Sequence, residues 1–191
     1  MTQPFETDKT VDEAVATLRS GGVVAYPTEA VFGLGCDPHD EKAVARLFEL
    51  KRRPPTQGVL LIASAFDQVA PFIDLASVPA AALERARATW PGPHTWVFPR
   101  AAATPGWLAG GHAGIAVRVT AHPLAAALCR AFCAALVSTS ANRHGEAAAR
   151  SAAEVRAMFG NELPFVLEGA TGGLERPTAI RDAISGDVIR T

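Results

Sequence analysis

The chain has 191 residues, 49% of them apolar and 19% charged, which is enough for one α/β domain with a real core and excludes disorder as the default. A formal charge of -1 at pH 7 argues against nonspecific nucleic-acid binding as a way of life, although a neutral protein can carry a locally basic cleft. Three cysteines (Cys36, Cys129, Cys133) form no CxxC pair, no signal-peptide core opens the chain, and no apolar run has the length of a membrane span. The expectation is a soluble cytoplasmic protein with free thiols and no membrane partner.

Val11, Ala14, Val15 and Leu18 recur at helical spacing, and Gly21-Gly22 closes that helix. VVAY then reads as a buried strand stopped by Pro27. A second helix runs from about Asp40, with Val44, Leu47 and Phe48 on one face. It must end near Arg53, because a residue before proline is pushed out of the α region. GVLLIAS is a strand. Ser77 and Pro79 start a helix over AALERARATW, which PGP terminates. TWVFP and GIAVRVT are two more strands, and Pro123 opens the helix LAAALCRAFC, where Cys129 and Cys133 share a face and read as packing residues. ALVSTS is a strand running into a loop. Ser151 and Glu154 form a capping box, with Gly160 as the stop. PFVLE, TAIRD and DVIR close the chain as short strands. The sum is one α/β domain over residues 1–191, with a core of about 10–190. Its sheet is twisted and mixed, of about seven strands flanked by about five helices, because the order is not a clean β-α-β-α repeat.

Some polar residues sit oddly in this frame. Alternation along IAVRVT puts Ile115, Val117 and Val119 on one face and Ala116 with Arg118 on the other. That is the pattern of a concave floor carrying a cation, and equally of a solvated edge strand. Ser138, Ser140 and Asn142 point one way if ALVSTSAN is extended, which suits a polar ligand or ordinary turn chemistry. In LKRRPP an extended chain would place Lys51 and Arg53 on one side and Arg52 on the other. Cations at a helix end suit the macrodipole, but two prolines directly after them also suit a preorganised anion clamp. In AYPTEAVFGLGCD, Gly33 and Gly35 permit close backbone approach, and Glu29 is a lone carboxylate that serves as a base or caps a turn. The phosphate-binding signatures GxxxxGK[ST] and GxGxxG are absent, as are HExxH, GxSxG and any Cys/His ligand spacing. No protein-held metal is expected; His122, before Pro123, reads as structural.

Taken together, AYPTEAVFGLGCD, LKRRP, WPGPHT, AVRVTAHP, VSTSAN and IRD occur in the order and near the spacing of the YrdC/TsaC family, which the chain resembles over nearly its whole length. The hallmark is KxR followed far downstream by SxN, represented here by Lys51/Arg53 and Ser140/Asn142. The family comprises the threonylcarbamoyl-AMP synthases. The resemblance implies a positively charged cavity in an α/β sheet and condensation of L-threonine, bicarbonate or CO₂ and ATP to threonylcarbamoyl-AMP with release of pyrophosphate. That is the first step toward N6-threonylcarbamoyladenosine at position 37 of tRNA, completed by a separate transferase complex. It further implies Lys51, Arg53, Ser140 and Asn142 as the catalytic set, the same four with Arg190 around ATP, and Thr28, Arg118, Ser138 and Thr178 around threonine. Mg²⁺ would arrive on the ATP phosphates.

The chain departs from the family pattern at His94 in PGPHT, at Gly58-Val59, in RHGEAAAR after SxN, and in ERPTAI around Thr178. Two other readings stay open: an RNA-binding module of the same pathway, and a related carbamoyl-adenylate-forming domain.

Overall fold

The computed structural model describes residues 4–54 and 56–190, with side chains from Thr10 onward; Pro55, the second of the two prolines, lies outside the described residues. Helix α1 (Pro4–Arg19) buries the stripe Val11, Ala14, Val15 and Leu18, and Gly21 turns the chain at φ 79°. Strand β1 (Val24–Pro27) is buried throughout and folds back antiparallel onto β2 (Phe32–Gly35). Nothing in the strand pattern announces β2, because glycine is a poor strand former. Its glycines are required by contact instead. A Cβ at Gly35 would lie 2.6 Å from the Val137 carbonyl oxygen and 2.8 Å from the Tyr26 ring.

Helix α2 (Glu41–Lys51) starts at Asp40, whose carboxylate accepts from the Lys42 and Ala43 amides at 2.9 and 3.1 Å. After it come β3 (Leu60–Ala63), the short helix α3 (Phe66–Val69), α4 (Ala80–Arg87), β4 (Thr95–Pro99) and the short helix α5 (Gly106–Ala109). Then follow β5 (Gly114–Val119), α6 (Pro123–Phe132), β6 (Leu136–Ser140), α7 (Ala152–Phe159), β7 (Phe165–Val166), β8 (Ile180–Asp182) and β9 (Val188–Arg190). The two extra helices are one turn each, too short to show a period. Helix α6 stops one residue short of Cys133, which takes a left-handed φ of 65° and is exposed, so Cys129 alone packs.

The nine strands of the described residues, against about seven expected, join one sheet in the order β7-β1-β2-β6-β3-β5-β4-β8-β9. The sheet is mixed: β1–β7, β3–β5 and β4–β8 are parallel and the other five pairings antiparallel. Alternation divides it into two faces. Ala25, Leu34, Leu61, Val117 and Val137 pack with α2 and α7, whereas Val24, Tyr26, Ile62 and Leu136 pack with α1 and α6. Period two puts Leu60, Ser138, Ala116 and Arg118 on the second face too, beyond the reach of those helices. That uncovered half is the floor of a cavity.

Residues 167–179 form a strap from β7, near one sheet edge, to β8, near the other. Its backbone is pinned along the way: Gly172 N–H donates to Thr28 O at 2.9 Å and Leu174 N–H to Glu29 O at 3.0 Å. Arg150 donates to the carbonyls of Leu174 and Glu175 at 2.7 and 2.9 Å. Among the described residues no helix is long and apolar enough to cross a membrane.

The close contact at Gly35 makes a prediction. Gly35→Ala is expected to cost about 1–3 kcal/mol, as overpacking does. Urea denaturation measures it, and an unchanged midpoint would mean that β2 and β6 spread freely.

Candidate active site

The cavity holds about 770 Å³, the size of a nucleotide or a drug-sized ligand. Its walls come from the β1–β2 turn, the ends of β3, β5 and β6, the strap and β9. Thr28, Arg53, Arg118, Ser138, Ser140, Asn142, Thr178 and Arg190 all line it, so the structure gathers eight of the nine expected site residues. Lys51 is absent from the described lining residues.

At one end stands Arg118, on the floor. Its Nε and Nη2 donate to Thr95 Oγ1 at 3.0 and 2.8 Å, and its Nη1 donates to Glu29 Oε2 at 3.2 Å. Glu29, only 7% exposed, also accepts from the Thr120 hydroxyl at 2.6 Å and the Ala121 amide at 3.2 Å through Oε1. Burial pushes the Arg118 guanidinium below its ordinary pKa, and Glu29 offsets part of that. The three donated bonds leave one N–H on each Nη for a ligand, the fork that a carboxylate fits. Both Glu29 oxygens accept hydrogen bonds from the protein, and the carboxylate orients Arg118. Nearby, Thr28 donates its hydroxyl to Val31 O at 2.6 Å, Thr178 donates to the Pro93 carbonyl, and Ser138 is 5% exposed. His122 is structural, as expected: Nδ1 accepts from the Ala125 amide at 3.5 Å, and Nε2 lies 3.0 Å from Ala170 O.

At the other end, Arg53 donates from Nη2 to Gly58 O at 2.7 Å and from Nη1 to Thr139 Oγ1 at 3.2 Å. Its Nε is buried with no partner at all. Burial first, and Arg190 second, push its pKa down. Among the described residues neither arginine forms an ion pair. Two cations close enough to repel, one with an orphaned buried N–H, are a site that an anion would complete. Gly58 is explained by the same corner, since a Cβ there would lie 2.8 Å from Ala109 O.

The local geometry of LKRRP differs from the extended chain expected. Lys51 is the last helical residue, and Arg52 takes the left-handed region at φ 49°, ψ 41°. Arg52 N–H donates to Glu49 O at 2.9 Å and Arg53 N–H to Phe48 O at 3.0 Å, a Schellman ending. That reversal turns Arg52 to solvent, Arg53 to the cavity and Lys51 into the protein. Lys51 is 3% exposed and donates to Ser140 O, to Asn142 O at 2.9 Å and to Asn142 Oδ1 at 3.2 Å. Ser140 in turn donates to Asn142 Oδ1 at 2.6 Å, and Asn142 Nδ2 donates to Arg143 O and Glu146 O, both at 2.9 Å.

Sequence reasoning passed over Thr95, Thr120 and Thr139. Thr120 had a signal: it lies two residues from Arg118, just past the end of β5. Thr95 and Thr139 had none, because only the sheet order brings β4 beside Arg118 and β6 beside Arg53. Among the described residues no group of three acidic, His or Cys side chains gathers as a metal site.

Two substitutions follow from these geometries. Glu29→Gln is expected to weaken binding of a small carboxylate at Arg118 at least about tenfold, as loss of a charged hydrogen bond does. Equilibrium binding measures it, and an unchanged affinity would mean that Glu29 does not orient Arg118. Arg52→Gly is expected to keep or raise stability by up to about 1 kcal/mol, since glycine suits the left-handed region; a lower thermal midpoint would contradict this.

The Sua5/YciO/YrdC family model, described as telomere recombination, matches residues 16–191. The chain is 56% identical to a threonylcarbamoyl-AMP synthase of Halorhodospira halophila, covering 99% of this chain and 96% of that one. It is 53% identical to a threonylcarbamoyl-AMP synthase of Xanthomonas campestris pv. campestris, over 94% and 96% of the two chains. Among solved structures, P. abyssi Sua5 complexed with L-threonine superposes with a TM-score of 0.86 at 31% identity, covering 92% of this chain and 51% of that one. The present chain thus spans about half the length of that structure's chain. On sequence and fold alike, this chain belongs to the Sua5/YciO/YrdC family.

Proposed function

We propose that the cavity binds ATP and L-threonine together and makes L-threonylcarbamoyladenylate. The observation that carries this reading is the separation of two anion sites in one cavity: Arg118 with two free N–H groups at one end, Arg53 with Arg190 at the other. Threonine brings a carboxylate and ATP a chain of phosphates, so the ligands match the ends in kind.

Threonine would place its carboxylate on Arg118 and its hydroxyl among Thr28, Ser138 and Thr178. The amine nitrogen attacks CO₂, or bicarbonate with loss of water, to form a carbamate. A carbamate oxygen then attacks the α-phosphorus of ATP as the bond to pyrophosphate breaks. Arg53 and Arg190 face the phosphates, Ser140 and Asn142 the nucleotide, and Mg-ATP enters as the metal-bearing substrate. Like charges must be crowded for this step, and fixed cations lining the cavity offset their repulsion. Holding three reactants in line supplies much of the rest. A substrate oxygen or water takes the amine proton.

The activity names of the relatives at 53–56% identity support this reading. It places the protein at the head of a tRNA modification route, passing its product to a separate threonylcarbamoyl-transferase complex. Three unbridged cysteines, two of them buried, fit the reducing cytoplasm where that route runs.

Purified protein with labelled threonine, bicarbonate and Mg-ATP is expected to yield the adenylate and one pyrophosphate per turnover. Arg53→Ala is expected to weaken ATP binding at least about tenfold, a charged contact's worth, and leave threonine binding intact. RNA binding without adenylate would favour an RNA module. Turnover of carbamoyl phosphate in place of threonine and bicarbonate would favour the related carbamoyl-adenylate reaction.

A further inference from the structure

The two halves of the KxR/SxN pair meet across 89 to 91 residues of sequence, and they do so back to back with the cavity. The Lys51 ammonium has three N–H groups and three protein acceptors: the carbonyls of Ser140 and Asn142, and Asn142 Oδ1. The Lys51 carbonyl is occupied as well, by the His144 amide at 2.7 Å. The preceding carbonyl, Leu50 O, accepts from Arg143 Nη1 at 3.1 Å. The last turn of α2 and the loop after β6 therefore hold each other by five bonds running in both directions. Asn142 shows the consequence: its carboxamide oxygen takes Ser140 and Lys51, its nitrogen takes two loop carbonyls, and the loop from Ser140 to Glu146 is wound around it.

An ammonium that faced a phosphate would need a donor to spare, and Lys51 has none. Arg53, two residues on, has an orphaned buried Nε and lines the cavity. We infer that Lys51 is a positioning residue, whose ammonium winds the Ser140–Glu146 loop into the shape that the nucleotide meets, while Arg53 carries the contact to phosphate. This rests on the nucleotide reading of the cavity given above. Geometry and titration agree. Burial, helped by Arg53, brings the Lys51 pKa down from 10.5 to about 8. Below that value the third N–H is present and the loop is held; above it one acceptor loses its donor. Nucleotide affinity therefore falls as pH rises through about 8, and Lys51→Arg, which stays charged, removes that dependence.

The test compares Lys51→Met, Lys51→Arg and Arg53→Ala by equilibrium binding of AMP, ADP and ATP, together with amide hydrogen exchange of the loop. For Lys51→Met the loss of affinity is expected to be the same for all three nucleotides, at about tenfold. Exchange at the Asn142, His144 and Glu146 amides is expected to speed up in the free protein. For Arg53→Ala the loss is expected to grow with each added phosphate, and loop exchange to stay as in the unaltered protein. A Lys51→Met loss that climbs from AMP to ATP as steeply as that of Arg53→Ala, with loop exchange unchanged, would overturn the inference. Should Lys51→Met fail to fold, Lys51→Arg decides by the same exchange readout and by its pH profile. Failure of the unaltered protein to bind any adenine nucleotide would refute the nucleotide reading instead, and the exchange contrast alone would then judge the loop.

Discussion

A guanidinium on the floor of a sheet must find acceptors, and much of this molecule's polar architecture answers that demand for Arg118. An unpaired buried charge costs several kcal/mol, in the range of about 3–5 when one partner is removed. Its acceptors come from distant segments: Thr95 from β4 and Glu29 from the β1–β2 turn. Glu29 in turn collects Thr120 and Ala121 at the approach to α6, and its backbone receives the strap. One ion pair thus ties together the turn, two strands, the entry of a helix and the segment that crosses the cavity.

The two ends of the cavity treat their cations differently. Arg118 is satisfied by protein and keeps two N–H groups over. Arg53 is held by two bonds but keeps a buried nitrogen without a partner, beside a second arginine. The first arrangement fixes the orientation of its cation; the second leaves a buried donor for which the protein supplies no acceptor.

Much of this was legible in the residues alone. Alternation in IAVRVT put Arg118 with Ala116 on the face that floors the cavity, and Ser138, Ser140 and Asn142 all line it, although the strand ends at Ser140 and Asn142 stands in the bend after it. The apolar stripes of α1 and α2, the Ser151 cap of α7 and its stop at Gly160 fall where the residues place them, whereas Ser77 lies outside α4 and Glu154 accepts from the Arg150 amide in place of Ser151. What escaped did so for physical reasons. Strand β2 is built on glycines chosen for contact, not propensity. Helices α3 and α5 are a single turn. Thr95 and Thr139 act only through neighbours that the sheet order supplies. The ending of α2 was misread because an arginine stands where glycine usually sits, and its left-handed turn sends Lys51 and Arg53 to different places.

The strap sets a mechanical limit. Between Val166 and Ile180 lie 14 peptide steps, a tether of at most about 50 Å at full stretch. Seven strand spacings separate β7 from β8 in the sheet order, which is about 34 Å on a flat sheet. About 16 Å of slack is left, and the bonds to Thr28, Glu29 and Arg150 take up part of it. The strap therefore stays across the sheet while those anchors hold. Leu174, Pro177 and Thr178 of the strap form part of the cavity wall, so the same tether that spans the sheet also bounds the size of a ligand held beneath it.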